Sequence, residues 1–210
     1  MDLVSKIRRG TGALHSATEN SGIIKKILDV NADKDNYAEY LFNLYPMYKA
    51  IEDTIENNKS NEVVKNFVTK ELYKSELIQK DLEYLLGDKV DTMRLLPSTT
   101  ASVERIQEIN ENEPELIVAY AYTRFIADLF GGRTFATLLS EKYELPTEAL
   151  NYYNCEDVKD IRGYVMNYAS KINNIDLPKE KEEKLLNEVS NAYIYNLAIS
   201  CELEAKLDKK

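Results

Sequence analysis

The chain has 210 residues, with 36 acidic against 27 basic side chains and a formal net charge of −9. Apolar residues make up 44% and glycines number only seven, which is typical of an ordered, mainly helical protein and excludes a disordered chain. The negative charge argues against a nucleic-acid partner, because DNA affinity depends on lysine and arginine neutralising phosphates.

Apolar residues recur at helical spacing along the chain, without the sustained alternation typical of β-strands. Helix ends are predicted where residues favour caps and turns. We expect them at Ser21-Gly22, Asp33 to Asp35, Asn57 to Ser60, Gly87-Asp88, Pro97-Ser98, Glu113-Pro114, Pro146 and Pro178. These breaks predict an all-α fold of about seven to nine helices. Since no long polar linker divides the pattern, we expect a single domain covering 1–210.

The chain carries no sign of a membrane or secretory segment. Its first ten residues include several charges, and its longest apolar stretch, at 116–122, is too short to span a bilayer. Cys155 and Cys201 have neither metal-binding nor disulfide-framework spacing. We therefore expect a cytoplasmic protein. The first fifty residues hold seven basic and six acidic side chains, which disfavours an all-α transcriptional regulator.

The only histidine, His15, lies on the first predicted helix. Ile7 and Leu14 belong to the centre of the apolar face of that helix, and His15 falls on its shoulder beside Arg8 and Glu19. A carboxylate four residues after a histidine can orient the imidazole as a metal ligand, and Arg8 could meet an anion. The helix alone leaves open whether His15 is a ligand or a partly buried histidine with an ordinary hydrogen bond. A di-iron bundle site is excluded, because it needs two histidines.

A second informative segment is helical in pattern on both sides of Gly131-Gly132. Paired glycines cost helix stability, and they permit a kink and a close approach of the backbone to another body. Ala127 and Gly131 share one face, which indicates either a flat ligand or a tight helix crossing. Asp128 on this apolar helix indicates either a salt bridge with Arg124 or a hydrogen-bond network that includes water.

Four segments resemble the haem oxygenases in their order and spacing: "LHSATEN" at 14–20, "LYPMYKAIEDTIENNK" at 44–59, "YTRFIADLFGGRTF" at 122–135 and "AYIYNLAISCELE" at 192–204. The resemblance covers almost the whole chain. It implies an all-α fold in which haem b lies between a proximal helix that bears a histidine and a kinked distal helix. On the proximal side, His15 matches the axial ligand of the haem iron and Glu19 the carboxylate that orients it.

The resemblance also assigns distal and peripheral roles. Gly131 and Gly132 match the glycines whose backbone closes over the haem face, with Ala127 beside them, and Asp128 matches the aspartate that holds a distal water. The remaining matched positions support that aspartate (Tyr48, Arg124 and Asn196) or contact the haem propionates (Arg8 and Tyr122).

The family's activity would make haem both cofactor and substrate. The resemblance implies oxidative ring opening to biliverdin or a related open tetrapyrrole, with release of carbon monoxide and ferrous iron. It requires O2 and electrons from a separate reductase, flavodoxin or ferredoxin. We expect a monomer.

Three departures from the family pattern support an alternative, a haem-binding or haem-transfer protein with weak or lost ring-opening activity. Ala127 replaces a glycine, and Gly12 stands where lysine is frequent. Val165 and Ala169 fall where later basic residues contact propionates, which leaves Arg162 or Lys171 as substitutes. The site of ring cleavage does not follow from the sequence.

Overall fold

The computed structural model describes residues 1–208; Lys209 and Lys210, the last two positions of the expected domain 1–210, lie outside the described residues. Every regular element in the described part is helical, so the all-α expectation is confirmed. The α-helices are α1 (Leu3–Glu19), α2 (Gly22–Leu28), α3 (Lys34–Asn57), α4 (Ser75–Leu86), α5 (Pro97–Asn112), α6 (Ile117–Ala121), α7 (Ala127–Tyr143), α8 (Ile161–Asn173) and α9 (Lys179–Leu207).

Short helical turns connect several of these helices. A π-helical turn, Tyr122–Ile126, joins α6 directly to α7. The 3₁₀ turns are Val64–Phe67, Lys70–Leu72, Gly87–Thr92, Pro114–Leu116, Thr147–Ala149 and Asn151–Tyr153.

The predicted helix ends coincide with local capping chemistry. Asp33 and Asn36 form a capping box at the start of α3, in which each side chain accepts a hydrogen bond from the other residue's backbone N–H. Pro97 occupies the first turn of α5, where its missing N–H costs nothing. The start of α8, which was not among the predicted ends, is also capped: Asp160 accepts from the backbone N–H of Gly163 at 2.9 Å.

The longest helix, α9, organises the packing. It runs against α1, α2, α5 and α6, while α3 packs on α4 and α5. The approach of α2 to α9 is close enough to require glycine: Gly22 has a φ of +67°, and a Cβ there would lie 2.6 Å from the carbonyl carbon of Ser200. The buried apolar side chains of these helices form one continuous core.

No helix within residues 1–208 is both long and apolar enough to cross a membrane.

Candidate active site

A cleft of about 600 Å³ lies between α1 on one side and the π turn with α7 on the other, and α8 and Tyr193 of α9 complete its lining. A volume of this size is within the range of small-molecule and cofactor sites. Both segments singled out in the sequence therefore face the same space, although they are more than one hundred residues apart in the chain.

His15 projects from α1 into this cleft. The buried stripe of α1 consists of Leu3, Val4, Ile7 and Thr11, so it ends one turn before His15, and Leu14 is only half-buried rather than central. The imidazole is 54% exposed, and its Nδ1 lies 3.7 Å from Glu19 Oε2. This contact engages Nδ1 and leaves Nε2 for a ligand.

The opposite wall is smooth at Ala127 and Gly131, which are both exposed on the cleft side of α7. A Cβ added to Gly131 would meet nothing within 4 Å, so the interpretation of this face as a tight helix crossing is wrong. A Cβ on Gly132 would meet Tyr153 Cδ1 at 3.4 Å, an ordinary van der Waals contact. The small residues thus border open space suited to a flat ligand.

The departure from regular α-helix falls at Tyr122–Ile126, one turn before the glycine pair, which itself lies inside continuous α7. A π turn inserts an extra residue and changes which side chains stack one turn apart, and such turns are frequent at functional sites. Arg124, in the centre of the turn, is buried and points toward α3 rather than along α7.

Asp128 is held by two phenols. Tyr48 donates to its Oδ2 at 2.6 Å and Tyr152 to its Oδ1 at 2.8 Å. The two hydroxyl oxygens are 2.7 Å apart. Arg124 donates from Nε to Tyr48 and from Nη2 to Tyr152, both at 3.0 Å. Of the two interpretations of Asp128, the direct salt bridge with Arg124 is not formed; the phenols of Tyr48 and Tyr152 lie between the two charges and form a hydrogen-bond network.

Burial fixes the protonation of this group. It raises the pKa of Tyr48 and Tyr152 well above the ordinary 10.0 of a phenol, so both hydroxyls keep their protons. Burial alone would lower the pKa of Arg124, but the neighbouring phenols and Asp128 outweigh it and raise that pKa. The guanidinium is therefore a permanent cation. Its carbon also lies 5.1 Å from the centroid of the Tyr48 ring, a cation–π contact.

Tyr152 was not anticipated from the sequence. It lies on the 3₁₀ turn Asn151–Tyr153, beyond the end of α7, and no periodic pattern places a side chain from such a turn. In the sequence, the pair of adjacent tyrosines at 152 and 153 is the one feature that could have drawn attention to this position.

Asn196 of α9 lines a cavity of about 160 Å³ together with His15, Arg124 and Asp128. Its side chain is buried, and within the described chain its Oδ1 has no hydrogen-bond partner. It makes no direct bond to Asp128 but presents an acceptor to the same small space. A buried acceptor in a polar cavity suits a bound water.

The edge of the cleft carries fewer basic side chains than we expect for binding the two propionates of a haem. Arg8 and Tyr122 line it, as do Gly12, Val165 and Ala169. Arg162 and Lys171, the suggested substitutes for missing propionate contacts, do not line the cleft.

The residues present fit haem. One accessible imidazole, a stretch of small residues opposite it and a polar group beside them are what an iron porphyrin with one protein ligand requires. Among residues 1–208 no group of three or more histidine, cysteine, aspartate or glutamate side chains could hold a metal ion, which suits an iron whose other ligands come from the porphyrin.

The comparisons with known proteins agree with this geometry. The sequence model of the family described as heme oxygenase matches residues 1–202. Heme oxygenase 2 of Macaca fascicularis is 32% identical over 207 residues, which cover 97% of this chain. The chain spans 66% of that relative's length, just under two thirds.

Two solved structures are also similar to this chain. The heme oxygenase of Leptospira interrogans has 29% identity and a TM-score of 0.90, and the match covers 96% of this chain and 100% of that one. Heme oxygenase-1 of the cyanobacterium Synechocystis sp., solved in complex with heme, has 27% identity and a TM-score of 0.92, with 100% and 95% covered. Because the family model spans nearly the whole sequence, the chain belongs to the haem oxygenase family.

Proposed function

We propose that this chain binds haem b in the cleft and opens its ring to biliverdin or a related open tetrapyrrole, using O2 and releasing carbon monoxide and ferrous iron. The observation that carries the proposal is the juxtaposition across one cleft of an accessible imidazole and the small residues Ala127 and Gly131, with a carboxylate beside them. When bound, haem supplies the iron at which oxygen is reduced and the carbon bridge that is oxidised.

His15 binds the iron through Nε2 in this proposal. Glu19, 3.7 Å from Nδ1, holds the proton on Nδ1 and fixes the tautomer in which Nε2 carries the lone pair. At the cleft edge, Arg8 and Tyr122 bind the propionates, Arg8 through its charge and Tyr122 through its hydroxyl.

The distal wall restricts space and supplies protons. Ala127, Gly131 and Gly132 would let the backbone of α7 lie close to bound haem and would restrict the space on that face. Asp128 accepts a hydrogen bond from a water in the small cavity that Asn196 also lines, so the second proton of that water stays free to be donated toward the haem. A water held in this way delivers protons at a defined place.

The donor of electrons is a separate protein, for which we propose a reductase, flavodoxin or ferredoxin. We also propose that 1–210 is one domain acting as a cytoplasmic monomer. The single core supports the first part, and the two cysteines, both unpaired in the described structure, suit a reducing compartment.

Titration with haem tests the ligand assignment. Wild-type protein is expected to bind one equivalent and to show a histidine-ligated spectrum. His15→Ala should lose that spectrum and regain it on addition of imidazole, while the fold remains, because an exposed side chain contributes only about 0.5 kcal/mol. Ser16→Ala, the next exposed position on α1, is the matched control. An unchanged spectrum in His15→Ala would refute the assignment.

Addition of a reductant to the same sample under air separates the oxygenase from the haem-transfer alternative. Loss of the Soret band with appearance of a bile pigment supports ring opening. A stable haem complex that passes its haem to an acceptor protein would support the haem-transfer alternative. Ala127 is the residue that favours this alternative.

A further inference from the structure

The carboxylate of Asp128 accepts a hydrogen bond from Tyr152 as well as from Tyr48. We infer that Tyr152 is a positioning residue for Asp128, and that Asp81 of α4 positions Tyr152 in turn by holding the backbone of its turn. This inference deepens the proposed function, since the carboxylate it concerns is the one to which we assign the distal water.

The direction of each hydrogen bond follows from the donors present. Arg124 has only N–H donors, so the Tyr152 oxygen accepts from Nη2 at 3.0 Å. Asp128 can only accept, so the single phenolic proton of Tyr152 goes to Asp128 Oδ1 at 2.8 Å, and the 2.7 Å contact between the two phenol oxygens then carries no hydrogen bond. Tyr48 repeats the arrangement with Nε and Oδ2. A carboxylate oxygen accepts more than one hydrogen bond, so both oxygens of Asp128 are fixed in place and each keeps acceptor capacity toward the cavity.

Tyr152 needs external support because its turn is only three residues long. That support comes from Asp81, which is fully buried on α4. Asp81 Oδ2 accepts from the backbone N–H of Tyr152 at 2.8 Å, and Oδ1 accepts from the backbone N–H and the side-chain amide of Asn151, each at 2.8 Å.

A buried carboxylate is costly unless it is hydrogen-bonded, and the hydrogen bonds of Asp81 all go to this one turn. Burial raises the pKa of Asp81, and the bonds from Tyr152 and Asn151 lower it. The backbone of Tyr152 is thereby fixed to α4 while its hydroxyl reaches α7. Any change at Asp81 displaces the Tyr152 hydroxyl without touching the cleft.

The first test measures pairwise coupling in the chain without haem. We compare the unfolding free energies of wild type, Tyr152→Phe, Asp128→Asn and the double variant. A coupling that changes the folding constant by about fivefold or more is expected for groups in direct hydrogen bond. Tyr120→Phe removes a buried phenol of α6 that donates to Glu188 rather than to Asp128, and it should show no coupling to Asp128→Asn. Additive effects of Tyr152→Phe and Asp128→Asn would overturn the inference.

The second test uses the haem-loaded protein. Tyr152→Phe is expected to bind haem within about threefold of wild type, to lower the ring-opening rate about tenfold, and to shift the pH midpoint of the acid–alkaline transition in the haem spectrum by about half a unit. Asp81→Asn should reproduce the rate and the midpoint changes. Tyr120→Phe should change neither.

The two tests distinguish the inference from the proposed function. If wild type neither binds nor opens haem, the proposed function fails, while the coupling measurement still decides whether Tyr152 holds Asp128. If Tyr152→Phe matches Tyr120→Phe in both rate and midpoint, the positioning role is wrong even though the function stands. Should Asp81→Asn lose its helical circular dichroism, the decision rests on Tyr152→Phe.

Discussion

Asp128 lies at the boundary between two environments. Its two oxygens are held by Tyr48 and Tyr152 on the protein side, and it borders the cavity on the other. The positive charge of Arg124 reaches it only through the phenols, so the carboxylate remains an acceptor rather than half of a closed ion pair. A carboxylate in a direct salt bridge would have less acceptor capacity for water. Asp128, held by phenols, keeps that capacity.

Replacement of Asp128 by asparagine should separate binding from chemistry. We expect haem affinity to stay within about threefold, since His15 is untouched, and bile-pigment formation to fall about tenfold or more with diversion to peroxidase-like oxidation of added donors. Pigment yield and donor oxidation measure the two outcomes. Asp53→Asn, at an exposed carboxylate paired with Lys49, is the control. Pigment formation at the normal rate in Asp128→Asn would exclude the water-holding role.

Ala127 adds one methyl group to the distal wall, and its removal should raise activity. Ala127→Gly is expected to increase the ring-opening rate and to lower the unfolding free energy by about 1 kcal/mol, because glycine is the poorer helix former. Turnover under air and denaturant unfolding test the two effects. A slower variant would show that the methyl group helps to direct oxygen.

At the scale of helices, much of the arrangement could be predicted from local chemistry. The cap at Asp33 and the proline at position 97 mark helix starts in the sequence as they do in the structure. The start of α8 was missed although Asp160 supplies a cap. The π turn was not predicted, and Arg124 at its centre is buried against side chains of other elements.

Gly131 lowers the stability of α7 but leaves space in the cleft. Gly131→Ala should raise the unfolding free energy by about 1 kcal/mol, because the added methyl meets nothing and alanine favours helix. The same methyl enters the cleft, so haem affinity should fall about tenfold. Gly10→Ala on α1, also without neighbours, should give the stability gain alone. Unaltered haem binding by Gly131→Ala would mean that haem does not approach this wall.

At the scale of the whole molecule, tertiary packing brings together groups that no local pattern relates. Tyr48, Arg124 and Tyr152 come from α3, the π turn and a 3₁₀ turn. The resemblance to a family identified the first two, but the phenol at 152 emerges only from the fold. The sequence likewise offered two interpretations of Gly131, and only the surrounding space decided between them.

The buried phenols predict a characteristic alkaline instability. Burial raises the pKa of Tyr48, Tyr152 and Tyr153 well above 10.0, so the folded chain keeps protons that the unfolded chain releases near pH 10. Unfolding free energy should therefore be unaffected by these groups below about pH 9 and fall above pH 10, by up to about 1.4 kcal/mol per pH unit for each phenol.

Denaturant unfolding between about pH 8 and 11, with tyrosinate absorbance, measures this dependence. Tyr48→Phe should flatten the profile, whereas Tyr84→Phe, at an exposed ring, should not. A profile that is flat above pH 10 in wild type would contradict burial of the group.

A single turnover shows whether the cleft between His15 and Asp128 opens the haem ring. Stoichiometric haem complex is mixed with reductant under air, and both carbon monoxide and pigment are quantified. We expect about one carbon monoxide and one open tetrapyrrole per haem consumed, with both lost in His15→Ala. Persistence of the Soret band, or bleaching without carbon monoxide, would contradict it.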